Sequence, residues 1–327
     1  MPTLLHDTFD LLEIGTIGKW PYTAEGEYHV VEPPHDTGVW EEANISTRWR
    51  AGTGCWAVVP DGERRAMEAT FTAPIDTPLL VAGSRFWDDY ALTVDVRPLG
   101  WIRPLGLVVR YQNSRRYYLV ALYEDHVALL NRDHEEENEL ARAPWQGGVD
   151  RYVAVEVACR GDRITVRLDG ERLLSARDET FPQGRIGLLA EGPARFADVR
   201  VAASAAAAMR AQEAEAQWRR EEEALQAALP QPILWKVLST AGFGTDRNLR
   251  YGDLTGDGRM EIVVPQAVHR GTLGEYPMIT CVTAMDLDGK VLWQQGQPSS
   301  QHPEMLGDLC IQVYDWNGDG KAEVLYT

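Results

Sequence analysis

Two nine-residue loops near the C-terminus, DLTGDGRME at 253–261 and DWNGDGKAE at 315–323, limit what this chain can fold into more than any other feature. Each reads D-x-[TN]-G-D-G-x-x-E, with oxygen-bearing side chains at positions 1, 3, 5 and 9 and a glycine at position 6. That glycine permits the positive φ that closes a tight loop. Alternate side chains then point inward around a hard divalent cation, and position 7 can offer its carbonyl. The candidate ligands are Asp253, Thr255, Asp257, the carbonyl of Arg259, and Glu261 in the first loop. In the second they are Asp315, Asn317, Asp319, the carbonyl of Lys321, and Glu323. Calcium suits a set rich in carboxylates and carbonyls better than magnesium does. Thr255 stands where Asp or Asn is usual and predicts weaker binding in the first loop. The alternative reading is a pair of Asp-Gly hairpin turns, although a hairpin needs only the Asp-Gly and not the surrounding oxygens.

An EF-hand loop ends in a bidentate Glu at position 12 and lies between helices. Here position 12 is Val264 in one loop and Tyr326 in the other, and the flanks IVV (262–264) and IQVY (311–314) are strand-like. The pattern therefore predicts strand–calcium loop–strand units.

At 327 residues the chain has room for two domains, and its formal net charge of −17 argues against nucleic acid or an anionic membrane surface as partner. Cys55, Cys159, Cys281 and Cys310 show no CxxC spacing, so neither a zinc site nor a redox pair is indicated, while a disulfide stays open. The N-terminus lacks a basic region followed by an apolar run, and no segment is long enough to span a membrane. As written, the sequence predicts a cytoplasmic protein; removal of a leader would leave a secreted one looking the same. Eleven tryptophans and twelve tyrosines are many for this length; most belong in a core, but rings not needed there often stack on sugars.

Composition shifts twice along the chain. Residues 1–203 are strand-rich, with runs at 90–96, 106–111, 117–123, 152–157 and 163–168; Asp169-Gly170 then marks a two-residue hairpin. Many short strands without an intervening helical pattern predict a β-sandwich. Residues 204–230 read as a helical linker, with Glu215/Arg219 and Arg219/Glu223 pairs and a thin stripe of Trp218, Leu225 and Leu229. Residues 231–327 return to strands, with a further turn at Asp288-Gly289. The loops begin 62 residues apart (315 − 253), which suits propeller blades with an insertion. A propeller needs at least about four blades, so the segment predicts an incomplete one from a longer protein. The expected fold class is mostly β: concanavalin-like sandwich, helical linker, incomplete calcium-binding propeller.

Residues 88–96, 110–113, 117–118, 169–172, 184–188 and 194–201 together resemble a concanavalin-like sandwich of the laminin-G type, common in carbohydrate-binding proteins. The stretches 251–264, 284–293 and 313–324 are similar to FG-GAP-type calcium-loop propellers and to the family 11 rhamnogalacturonan lyases. That second resemblance implies calcium as cofactor, a polysaccharide or oligosaccharide as partner, and β-elimination on a uronate-containing glycan. The expectation is the N-terminal part of such a lyase, with a non-catalytic, calcium-stabilised carbohydrate-binding or adhesion protein as the alternative.

A uronate lyase must neutralise the sugar carboxylate and remove the C5 proton, which needs a base. His269, Arg270, Tyr276 and His302 lie in the inter-loop insertion, but none carries a signal that assigns it as catalytic. Arg110, Arg115 and Arg116 form a candidate basic patch, and Trp101, Arg110, Tyr117 and Tyr118 are the candidate sugar contacts.

Overall fold

Strands form in the first part of the chain where β-branched and aromatic residues run between Gly, Asn and Asp turns. The computed structural model describes residues 1–17, 37–43, 56–69, 78–244, 249–268, 278–299 and 309–326. It divides the chain into Met1–Leu229 and Pro230–Thr327. The first unit begins with β1 (Thr3–Asp7), β2 (Gly15–Thr16), β3 (Glu41–Glu42), β4 (Trp56–Asp61), β5 (Arg64–Ala69) and β6 (Leu79–Ala82). It continues with β7 (Tyr90–Pro98), β8 (Leu105–Asn113), β9 (Arg116–Leu122), β10 (His126–Asp133) and β11 (Glu136–Pro144). Then come β12 (Val153–Arg160), β13 (Arg163–Leu168), β14 (Glu171–Arg177), β15 (Arg185–Ala190), β16 (Ala194–Ala203) and the helix α1 (Ala205–Ala228).

Two antiparallel sheets make the sandwich. The nine-stranded sheet runs β14-β13-β12-β7-β16-β5-β4-β2, with β1 also on β16; the seven-stranded sheet runs β11-β10-β9-β8-β15-β6-β3. Their facing side chains form one core, including Leu92, Val94, Val155, Ile164 and Phe196 from the first sheet and Leu107, Val109, Val120, Leu129 and Leu188 from the second. Each fully buried Val or Leu contributes roughly 1.5–3 kcal/mol. The Asp169-Gly170 turn joins β13 to β14 as the sequence predicts, with φ of 48° and 84°, the two positive values of a type I′ turn.

The sheets differ on their outer faces. In β7 and β12 buried residues alternate with partly exposed ones, the pattern of a sheet with one face in the core. In β8, β9 and β10 nearly every residue is buried. Their outward side chains form a second apolar cluster, with Val108, Tyr111, Tyr117, Leu119, Ala128, Leu130 and Leu189 among its members.

The pairing of β8 with β9 shifts register after Val109, and Arg110 there takes a φ of 52°. Such a bulge re-aims the side chain. Arg110 is only 1% exposed, and its guanidinium donates to the carbonyls of Phe181, Asp88 and Gly161. Helix α1 starts at Ser204, whose Oγ accepts the Ala207 N–H at 3.1 Å. It packs Ala207 and Ala211 into the sandwich core, and Arg210 pairs with Asp88 at 2.7 Å. The expected stripe is not what docks it: Leu225 and Leu229 are exposed, and Trp218 lies under the Arg85 guanidinium.

The second unit holds β17 (Arg250–Gly252), β18 (Glu261–Val268), β19 (Met278–Met285) and β20 (Val291–Gly296) as a four-stranded meander. A hairpin of β21 (Ile311–Tyr314) and β22 (Glu323–Tyr326) accompanies it. Val263, Ala267, Val282, Leu309 and Ile311 are its buried cluster. Among the described residues no sheet closes on itself into a propeller. The turn at Asp288-Gly289 is present between β19 and β20. Cys159, Cys281 and Cys310 are free thiols, whereas Cys55 lies outside the described residues. No described helix is long and apolar enough to cross a membrane.

Just after β14, the partly buried Asp178 accepts hydrogen bonds from Tyr118 and Asn131 side chains and from the Thr180 N–H. Burial acts to raise its carboxyl pKa, but hydrogen bonds from Thr180, Tyr118 and Asn131 outweigh that and hold it below the ordinary 3.8. A depressed folded-state pKa stabilises the native state above the unfolded value, and the contribution disappears as pH falls through the folded one. Acid unfolding below about pH 4 should therefore be less steep in Asp178→Asn than in the native chain, measured by circular dichroism across a pH series.

Candidate functional site

Alternation along β9 sends Tyr118, Val120 and Leu122 into the core and Tyr117, Leu119 and Ala121 to the outer face of the second sheet. With Leu130 of β10 and Leu189 of β15, Leu119 floors a recess of about 280 Å³. Tyr117, Tyr123, Arg103, Arg132, Glu137 and Glu191 complete its lining. Tyr117 stacks on Tyr111 with ring centres 6.2 Å apart, and the Arg132 guanidinium lies 3.5 Å from the Tyr117 hydroxyl. Arg103 faces Glu191 at 3.9 Å. Tyr123 stacks on His126, centroid to centroid 4.3 Å. Burial raises the phenol pKa of both Tyr117 and Tyr123 above the ordinary value. Both hydroxyls are thus neutral, able to donate and to accept.

A second, more open recess of about 960 Å³ adjoins the same turn. Glu124, Asp125, Pro144, Trp145, Gly147, Gly148 and Arg151 are among its walls. Backbone hydrogen bonds fix this end of the sandwich: Trp145 N–H to Asp125 C=O at 3.0 Å, Gly147 N–H to Glu124 C=O at 2.8 Å, and Glu191 N–H to Pro104 C=O at 3.0 Å. Trp101 meets Trp145 edge-on at 5.9 Å, and its indole N–H is enclosed with no partner among the described residues. Asp125 accepts from His126 at 2.6 Å, and that hydrogen bond lowers its carboxyl pKa.

Of the expected sugar contacts, Tyr117 lines the first recess with only 2% of its surface exposed, and Trp101 backs the second. Arg110 and Tyr118, the other two expected contacts, are turned into the interior. The bulge turns Arg110 inward onto three carbonyls. Tyr118 is fully buried, donating to Asp178 and accepting the Phe181 N–H at 3.1 Å. The expected basic patch is also dispersed, since Arg115 pairs with Glu135 and Arg116 with Asp133. Tyr123, Arg132, Glu137 and Trp145 were not anticipated. The available signal was the unbroken apolar run of β9 ending at Tyr123, the mark of a strand whose outer face is also covered or functional. His269, Arg270, Tyr276 and His302 lie outside the described residues.

The two acidic loops share one hydrogen-bond plan. Asp253 accepts the N–H groups of Gly256, Asp257 and Gly258, and Asp315 those of Gly318, Asp319 and Gly320. Glu261 closes the first loop on the Leu254 N–H; Glu323 closes the second on the Trp316 N–H and the Asn317 side chain. Gly256, Gly258, Gly318 and Gly320 all have φ between 77° and 89°, which glycine adopts without strain. The loops lie side by side, with the Ala322 N–H donating to the Asp253 carbonyl at 2.7 Å. Carboxylate oxygens of Asp315, Asp319 and Glu323 gather within 4.8 Å of one another. An all-oxygen donor set of this kind fits calcium.

No protein-family model matches the sequence, and no curated protein matches it. Among solved structures, a carbohydrate-binding module, CBM66 from Bacillus subtilis, is similar over 49% of this chain and 93% of its own, at 19% identity and a TM-score of 0.40. Galectin LEC-6 from Caenorhabditis elegans is similar over 41% of this chain and 95% of its own, at 14% identity and a TM-score of 0.34. The alginate lyase AlgAT5 of polysaccharide lyase family 7 covers 46% of this chain and 82% of its own, at 13% identity and a TM-score of 0.35. Likenesses this distant carry no argument about function.

A Cβ placed on Gly147 would lie 2.4 Å from the Trp101 ring and 2.9 Å from the Trp145 ring. Gly147→Ala should therefore displace the tryptophan pair and cost about 1–3 kcal/mol, the range for overpacking. A shifted tryptophan emission spectrum together with a lower urea midpoint would register it.

Proposed function

We propose that the first unit binds carbohydrate through the end of the sandwich where the two recesses meet. The observation that carries this reading is the recess of Tyr117, Tyr123, Arg103, Arg132, Glu137 and Glu191 over a leucine floor. A sugar ring has an apolar face of C–H groups and a rim of hydroxyls. The partly exposed Tyr123 ring matches the first, while guanidinium and carboxylate groups match the second by donating to and accepting from the same hydroxyl. Ligand sites in general combine an apolar lining with a few convergent polar groups.

Binding without bond cleavage is the activity these groups support. A catalytic base works best with a pKa near the operating pH, and burial moves both phenols further from it. The preferred reading is therefore the non-catalytic glycan-binding one, ahead of a lyase. Arg132→Ala should weaken binding of a captured glycan by tenfold or more, a loss of about 1.4 kcal/mol. Screening the native chain on immobilised glycans and titrating the best binder calorimetrically against both proteins measures it. Unchanged affinity in Arg132→Ala would remove the recess from the account.

For the second unit we propose calcium as a structural ion. Asp315, Asp319 and Glu323, with the Asn317 side chain and the Lys321 carbonyl, would hold it in the second loop; Asp253, Asp257, Glu261, Thr255 and the Arg259 carbonyl would do so in the first. A bound calcium would neutralise carboxylates that otherwise repel one another. A ligand at one hundred times its Kd adds about 2.7 kcal/mol to stability. Calcium added to chelator-treated protein should raise the melting temperature, and Asp319→Ala should shrink that rise. Equal melting with and without calcium would return both loops to simple turns.

A further inference from the structure

We infer that the glycan is electrically neutral and several sugar rings long, lying across both recesses; this rests on the carbohydrate reading above and adds its length and charge.

Continuity of the walls supports the length. Tyr123 lines the small recess, and its neighbours Glu124 and Asp125 line the large one. Arg103 borders the small recess, and Trp101, in the same loop, packs on Trp145 of the large one. Ligand pockets commonly span about 300–1,000 Å³. The small recess, at about 280 Å³, suits one terminal ring, and the open groove, at about 960 Å³, has room for the rings that follow. Trp145 offers those rings an aromatic wall, and the open form of the groove lets a chain run out to solvent.

Charge decides the class. Glu124 and Asp125 meet Arg151 in the groove; Glu137 and Glu191 meet Arg103 and Arg132 in the small recess. That is four carboxylates against three guanidiniums, on a chain of formal net charge −17. Two of the three arginines are charge-paired, Arg103 with Glu191 at 3.9 Å and Arg151 with Asp169 at 3.4 Å, while Arg132 lies 3.5 Å from the neutral Tyr117 hydroxyl. A uronate would bring one more negative charge per ring, and each would have to displace an existing partner or lose its hydration unpaired. The hydroxyls of a neutral sugar meet no such penalty, and they use carboxylates as acceptors.

The test titrates the native chain with neutral gluco-, galacto- and fructo-oligosaccharide ladders, from mono- to hexasaccharide, and with oligogalacturonates of equal length. Tryptophan emission and calorimetry give the affinities. At least one neutral ladder should gain about tenfold in affinity between disaccharide and tetrasaccharide. Trp145→Ala should lower tetrasaccharide affinity more than disaccharide affinity, and Arg151→Ala, at an exposed wall, repeats the comparison should Trp145→Ala fold poorly. Oligogalacturonates should bind at least tenfold more weakly, with the gap narrowing in Glu124→Gln. Neutral binding without length dependence, or oligogalacturonates binding as tightly as neutral chains, would overturn this inference while leaving carbohydrate binding in place. No binding by any ladder would overturn both.

Discussion

The second sheet of the sandwich is apolar on both faces, and most of the functional account depends on that constraint. One face closes the core; the other supplies the leucine floor on which Tyr117 and Tyr123 stand. An antiparallel sheet with one wet face normally alternates apolar and polar residues, as β7 and β12 do. Giving up the alternation in β8, β9 and β10 makes the outer surface apolar, and its side chains are themselves buried. Arg103, Arg132, Glu137 and Glu191 are placed around its rim.

The strands themselves were legible. Runs at 90–96, 106–111 and 163–168 fall within strands, those at 117–123 and 152–157 overrun one by a single residue, and Asp169-Gly170 forms the hairpin its two residues dictate. What the sequence hid was direction. Nothing in the letters at 105–113 announces that a bulge at Arg110 will turn a cationic side chain away from solvent and onto three carbonyls. Tyr117 and Tyr118 are adjacent and chemically identical, yet the period of two sends one to the outer face and the other into the core, where its hydroxyl reaches the partly buried Asp178. The meeting of Trp101 with Trp145 joins segments far apart in sequence through backbone hydrogen bonds between loops, which local patterns do not encode. The helix was visible as a helix, but its docking relies on alanines, whose small size permits close approach and whose composition resembles any exposed helix.

The acidic loops are a different case, because spacing alone carries their geometry. In each, the first aspartate gathers three backbone N–H groups, two glycines take the positive φ this demands, and the last glutamate ties the end of the loop to its start. The acid groups of the second loop lie close together, and the calcium proposal rests on that geometry. Their contribution to function is mechanical under this reading: they fasten strand to strand in the second unit, while recognition belongs to the first.

The central claim is that glycan is held at the loop end of the second sheet. Hydrogen–deuterium exchange with and without a saturating neutral oligosaccharide tests it most directly, because every backbone amide reports. The account predicts slowed exchange in residues 99–104, 123–132 and 145–151 with the outer face of the nine-stranded sheet unchanged. Protection confined to that other face or to Pro230–Thr327, under conditions where the sugar is bound, would contradict it.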